Sequence, residues 1–146
     1  MANLESKLRT YSLFKKEIGC EKYLFEIKNT EVRQSFTKFR LSNHTLSIEK
    51  GRHTSPKTPK EERFCPFCPT KVEDEIHFLI ECPTYLIPRN ELIKNIIKDN
   101  PHFIHESQKS KFLNLMSPEN ANVVAKTIHN FFEIRNFLFN KPRMLI

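Results

Sequence analysis

The stretch RFCPFCPTKVEDEIHFLIEC, Arg63 to Cys82, holds three of the chain's four cysteines and one histidine. The spacing is Cys65-x2-Cys68-x8-His77-x4-Cys82, and it admits three kinds of chemistry. Three thiolates and one imidazole form a standard tetrahedral set for structural zinc. Cys65 and Cys68 alone, as Cys-x-x-Cys, match a glutaredoxin-like redox pair. All four residues can also be plain core, with the cysteines as small apolar side chains and His77 hydrogen-bonded inside. A redox pair needs a buried strand before the first cysteine and a helix N-terminus after it. Here the polar KTPKEER precedes and Pro69 and Thr70 follow. The complete ligand set favours one structural Zn2+ on Cys65, Cys68, His77 and Cys82, because a catalytic site would keep a position open. Cys20, alone in EIGCEKY, is read as a small buried apolar residue.

Two elements must bring these ligands together. CPFC supplies a tight turn, stiffened by Pro66 and Pro69. VEDEIHFLIEC supplies a helix whose start carries Glu73, Asp74 and Glu75, where the macrodipole favours negative charge. Cys82 follows His77 by five residues, about 140° around a regular helix. The spacing therefore predicts that the helix ends or tightens before Cys82, helped by Pro83. Glu73 and Glu81, each four residues from His77, are candidates to orient its ring.

The flanks read as helices. With two glycines and no clear alternation, the chain is expected to be mostly α, a helical domain with a zinc-stapled turn-helix in its middle. Leu4, Leu8, Tyr11 and Phe14 make a helical stripe ending at Gly19. Thr30 is the expected N-cap of a helix reaching about Asn43, with Val32, Phe36 and Phe39 on one face and Arg33, Thr37 and Arg40 on another. TSPKTPKEE reads as a solvated linker. A helix is predicted over Arg89–Lys98, closed by Pro101. Ser117 and Pro118 are expected to start the longest helix, whose Val124, Ile128, Phe131, Phe132 and Leu138 form a broad apolar stripe. The chain thus divides into a basic part, 1–63, the ligand segment, 64–83, and a second helical part, 84–146, expected to pack as one domain. That apolar stripe offers a second possibility, a homodimer or protein partner docked through the Val124–Leu138 helix.

The net charge is +7 and unevenly spread. Residues 28–63 carry nine basic and four acidic side chains, whereas 64–106 carry four and seven. A basic zone attracts polyanions, although a solvated basic face is the commonest reason for such a cluster. No apolar run is long enough for a membrane span, and MANLESKLRTYSLFKKE lacks an apolar signal core. An intracellular protein of the nucleus or cytoplasm is expected, with reduced cysteines and an unused Asn43–Thr45 sequon. His102 and His105 read as surface residues. No phosphate-cradling glycine loop and no nucleophile elbow occur, so no enzyme is expected.

The runs RLSNHTLSIEKGR, EERFCPFC and VEDEIHFLIECPTY resemble the C-terminal region of non-LTR, LINE-type retrotransposon proteins, downstream of the reverse transcriptase. The resemblance covers about residues 30–97. It implies a zinc-binding CCHC segment, with Cys65, Cys68, His77 and Cys82 at the ligand positions, that helps hold RNA or target DNA. The polymerase Tyr-x-Asp-Asp run and the Pro-Asp endonuclease motif are missing. The chain is then either the tail of such a polyprotein or a free-standing derivative. The function expected is non-catalytic, largely sequence-independent nucleic-acid binding through Arg33, Lys38, Arg40, Lys50, Arg52, Lys57, Lys60 and Arg63. A zinc-stabilised protein-interaction module is the alternative, and a thiol–disulfide protein the third.

Overall fold

The structure, a computed structural model, describes residues 7–141. Its helices are α1 (Tyr11–Phe14), α2 (Tyr23–Glu26), α3 (Thr30–Arg40), α4 (Ser47–Lys50), α5 (Leu86–Asp99), α6 (Gln108–Leu115) and α7 (Ala121–Asn140). The fold is mostly helical, as the composition leads one to expect, and the Cys/His segment lies between α4 and α5. Among the described residues the only β-type pairing is a bridge between Phe64 and Val72. No helix among the described residues is long and apolar enough to cross a membrane.

α3 and α5 both pack on α7, the α3 contact being the larger. α3 buries the expected Val32, Phe36 and Phe39. Its N-cap is Asn29, whose Oδ1 accepts from the Val32 amide at 3.0 Å, and not Thr30, which is the first helical residue. Both residues are good caps, and the one whose side chain reaches the third amide on is selected. α5 begins at Leu86, three residues earlier than predicted, with Pro88 tolerated in the first turn where its missing N–H has no partner to lose. α7 is entered through a 3-10 turn, Pro118–Asn120. Val124, Ile128 and Phe131 of its stripe are buried within the chain, and Phe132 and Leu138 are half-buried.

Aromatic side chains dominate the core. Tyr85 stacks on Phe131 with ring centroids 4.7 Å apart, and Phe78 meets Tyr85 at 5.0 Å, Phe131 at 5.6 Å and Phe132 at 4.7 Å. Phe39 of α3 joins at 6.0 Å from Phe78. Offset and edge-on contacts of this kind suit the ring quadrupoles. Phe78 sits between His77 and Cys82 in sequence, so the ligand segment is anchored in the centre of the core.

The N-terminal expectation is corrected. Leu4 lies outside the described residues, and the helix is the single turn Tyr11–Phe14 rather than a run to Gly19. Lys15 leaves the helix in an extended conformation, and its Nζ turns to Gly19 O and Glu21. Cys20 is exposed, not buried, because this loop runs over the surface.

Phe131 is fully buried and Phe132 only half-buried. Phe131→Ala is expected to lower stability by ~3–5 kcal/mol, as large-to-small changes in filled cores do. Phe132→Ala should cost clearly less, and urea unfolding of the two variants measures the difference.

Candidate metal centre

The first two ligands come from a short hairpin. The Cys65 amide donates to Lys71 O at 2.7 Å, and Lys71 N returns to Cys68 O at 3.0 Å. The amides of Phe67 and Cys68 turn toward the Cys65 sulfur. The other two ligands come from one turn of helix. Asp74 starts it, its Oδ1 accepting from the His77 amide at 2.8 Å. His77–Glu81 then forms a π-type turn, closed by Cys82 N donating to His77 O at 2.8 Å. The helix ends before Cys82, as expected, but its last turn widens rather than tightens. An i→i+5 hydrogen bond adds one residue to the turn and so carries Cys82 back over His77. Cys82 itself is extended, as the following Pro83 demands.

The four ligand atoms lie within 4.8 Å of one another, close enough to hold one metal ion. Cys82 Sγ is 3.9 Å from Cys65 Sγ and 3.8 Å from Cys68 Sγ. A tetrahedral zinc with ~2.3 Å bonds to sulfur would set its thiolates about 3.8 Å apart. Both ring nitrogens of His77 are buried without a hydrogen-bond partner, and a metal ion would account for one of them. Glu81 lies 3.6 Å from Nδ1 and is the carboxylate placed to orient the ring. Glu73, the other candidate, points elsewhere.

The thiols differ in their surroundings. Burial pushes Cys65 up to about 12. Cys82 is buried too, yet His77 and Thr84 pull it down to about 6. An easily oxidised, nucleophilic first cysteine needs the opposite environment at Cys65. A bound cation would displace the protons of all three thiols.

Three buried charges fix the segment, and sequence reasoning had assigned none of them this role. Arg89 of α5 donates to Leu79 O at 2.8 Å, Cys82 O at 2.7 Å and Phe78 O at 3.1 Å. It thereby meets two carbonyls of the ligand turn, Phe78 and Leu79, and shares Cys82 O with the Tyr85 amide. Glu73 is fully buried; it accepts from Ser47 N at 2.7 Å and from Arg135 Nη2 at 2.7 Å. Glu75, also fully buried, accepts from Arg9 at 2.8 Å, Ser42 Oγ at 2.9 Å and His44 Nε2 at 2.9 Å. Burial alone would raise the Glu75 carboxyl; His44 and Arg9 outweigh it and hold it below the ordinary range. The one signal in the sequence was the acidic run itself, too acidic to face a helix N-terminus alone.

The basic residues separate into two groups. Arg40 and Arg63 are buried, contrary to expectation. The Arg40 guanidinium lies 4.4 Å from the Phe14 ring centroid and bonds Glu21 at 3.0 Å. Arg63 donates to Ile48 O at 2.8 Å and Thr58 O at 2.9 Å. It passes over Gly51, where a Cβ would lie 2.6 Å from its Cγ. Both guanidiniums are thus engaged inside the fold, which rules them out as free phosphate contacts. Lys38, Lys50 and Lys57 are exposed, while Arg33, Arg52 and Lys60 are half-exposed. Arg33 caps Ile27 O at 2.7 Å, and Arg52 pairs with Glu49 at 3.1 Å.

Comparison of the chain with protein-family models, with curated proteins and with solved structures finds no match.

The protein is expected to bind one metal ion per chain, read by elemental analysis after dialysis. Cys65→Ser and His77→Ala should lose it and unfold at least the 64–83 segment, whereas Cys20→Ser should keep both metal and fold. A second expectation concerns pH. Glu75 is depressed in the folded state, so its stabilisation is complete above the ordinary carboxylate range and fades as pH falls through the folded value. Glu75→Gln should cost ~3–5 kcal/mol near neutral pH, as breaking a buried pair does. The gap between variant and wild type should narrow in acid. An unchanged gap in urea unfolding at both pH values would show that Glu75 is not held as an ion.

Proposed function

We propose that the protein is a zinc-stapled, non-catalytic module that binds nucleic acid through its phosphates. The observation that carries the reading is a cleft of about 460 Å³ beside the segment leading into the Cys/His cluster. Arg9, Arg52, Lys57, Lys60 and Arg63 line it, against one acidic residue, Glu61. Arg9 and Arg63 are locked by internal hydrogen bonds and set the cleft's shape. Lys57 is exposed at its rim. Arg52, paired with Glu49 yet half-exposed, together with the exposed Lys57 and the neighbouring Lys60, suits a phosphate backbone while reading few bases.

The metal in this reading is zinc. Three sulfurs and one imidazole at tetrahedral spacing suit it, and a site closed by protein ligands alone is structural. Its likeness to the retrotransposon CCHC region fits the same reading, with the chain a tail or derivative of such a protein. Structural zinc contributes roughly 10–16 kcal/mol of apparent binding free energy, as much as a whole domain's stability. The cluster's task is then to hold the basic surface in place.

Phosphate binding releases counterions, so affinity should fall steeply with salt. RNA, duplex DNA and single strands titrated across a salt series test this. Arg52→Ala, Lys57→Ala and Lys60→Ala combined should weaken binding and lower the salt slope by roughly 2 to 3. Lys94→Ala, on the exposed side of α5, should leave binding unchanged. Metal content of the triple variant should stay near wild type and its thermal stability should fall only modestly, because the Arg52–Glu49 pair is partly exposed and such pairs contribute at most about 1 kcal/mol. Binding of no nucleic acid at low salt would sink the reading and leave the protein-interaction module in its place.

A further inference from the structure

A second cleft, of about 430 Å³, opens on the other side of the Arg9–Glu49 pair, between the C-terminal end of α7 and the turn around α4. Its lining differs in kind. Phe139 forms one wall and is half exposed, at 51%. Asn43, Thr45 and Asn136 are exposed around it and carry donors and acceptors. Lys7, Lys50 and His53 supply exposed positive or protonatable groups, and Glu49, already paired with Arg9 and Arg52, is the only carboxylate in the lining.

The Phe139 ring is held in place. The Arg135 guanidinium carbon lies 4.6 Å from its centroid, and Arg135 is itself fixed by Glu73. The Phe67 ring, from the turn between Cys65 and Cys68, stands 5.8 Å away. A rigid, half-exposed aromatic ring beside amide groups and lysines is the chemistry that takes an unpaired nucleotide. Every base has a π-face to stack, the amides can meet its edge, and an ammonium meets the phosphate. A base in a duplex is stacked on both faces and cannot enter.

We propose that this cleft is a single-strand subsite, in which an unpaired base stacks on Phe139 and the adjoining phosphate pairs with Lys50. The subsite rests on the nucleic-acid reading above and adds a preference to it: single strands over duplex. Phe137 provides an internal control. It is more exposed than Phe139, at 64%, and does not line the cleft.

The test is fluorescence anisotropy at fixed salt with a labelled oligouridylate, an oligothymidylate of equal length and a duplex. Wild type should bind both single strands more tightly than the duplex. Phe139→Ala should weaken single-strand binding about ten-fold and leave duplex binding within two-fold. Phe139→Tyr should restore it, and Phe137→Ala should behave as wild type. Lys50→Ala should lower the single-strand salt slope by about one. Metal content and thermal melting of Phe139→Ala separate lost stacking from a disturbed Phe67 turn. If melting drops, the Phe139→Tyr and Lys50→Ala results decide. Equal loss in Phe137→Ala and Phe139→Ala, or equal loss on single strands and duplex, overturns the subsite while the phosphate-binding reading stands. A wild type that binds none of the three probes overturns both.

Discussion

Cys82 stands five positions after His77, and the rest of the molecule is arranged around making that interval work. A regular helix would aim the two side chains apart. The π-type turn brings them together, but it loosens the backbone and ends abruptly at Pro83, leaving carbonyls of the last turn without helical partners. Arg89 meets two of them, Phe78 O and Leu79 O, and Cys82 O just beyond, with one planar group, a geometry that an ammonium could not reproduce. Within the same turn Phe78 reaches the aromatic centre of the core. The metal ligands and the principal core contact thus alternate along a single turn, so packing and coordination specify one conformation together.

The second support is electrostatic. Glu73 and Glu75 lie two residues apart and point to different partners, Arg135 from late in the chain and Arg9 from early in it. Neither carboxylate touches solvent. Buried pairs of this sort add little net stability over apolar packing, but they are severe about geometry, since each ion must find its counterpart or be left unpaired. They set where the termini of the described chain lie relative to the Cys/His segment. The two clefts lie on either side of the resulting Arg9–Glu49 contact.

Much of this was legible in the residues. The stripes of α3, α5 and α7 are periodic and long, and such patterns survive tertiary context. The four ligands were legible from type and spacing alone. The π-type turn was legible in part: two ligands at i and i+5 on one ion require some departure from a regular helix, but the spacing does not say in which direction. The fates of Arg40 and Arg63 were hidden. An arginine on a helix face or in a linker looks solvated unless its partners are known, and those of Arg40 come from Phe14, Glu21 and Met116, scattered along the chain. Thr30 and Asn29 differ only in which side chain reaches the amide of Val32. The N-terminal stripe misled because four apolar residues at helical steps can equally be anchored one by one, as Phe14 is against Phe112 at 6.2 Å.

Compact Cys/His metal-binding motifs are often thought of as detachable, since their ligands sit close together in sequence. This one is not portable. Excised as residues 64–83, it would carry Glu73 and Glu75 away from Arg135 and Arg9, Phe78 away from its aromatic neighbours, and the last carbonyls of the turn away from Arg89. The ion could still join the two halves of the motif, but nothing would choose the widened turn over a regular one. Any transplant of the motif into another scaffold would have to bring a cation from each flank with it, along with a socket for one phenylalanine.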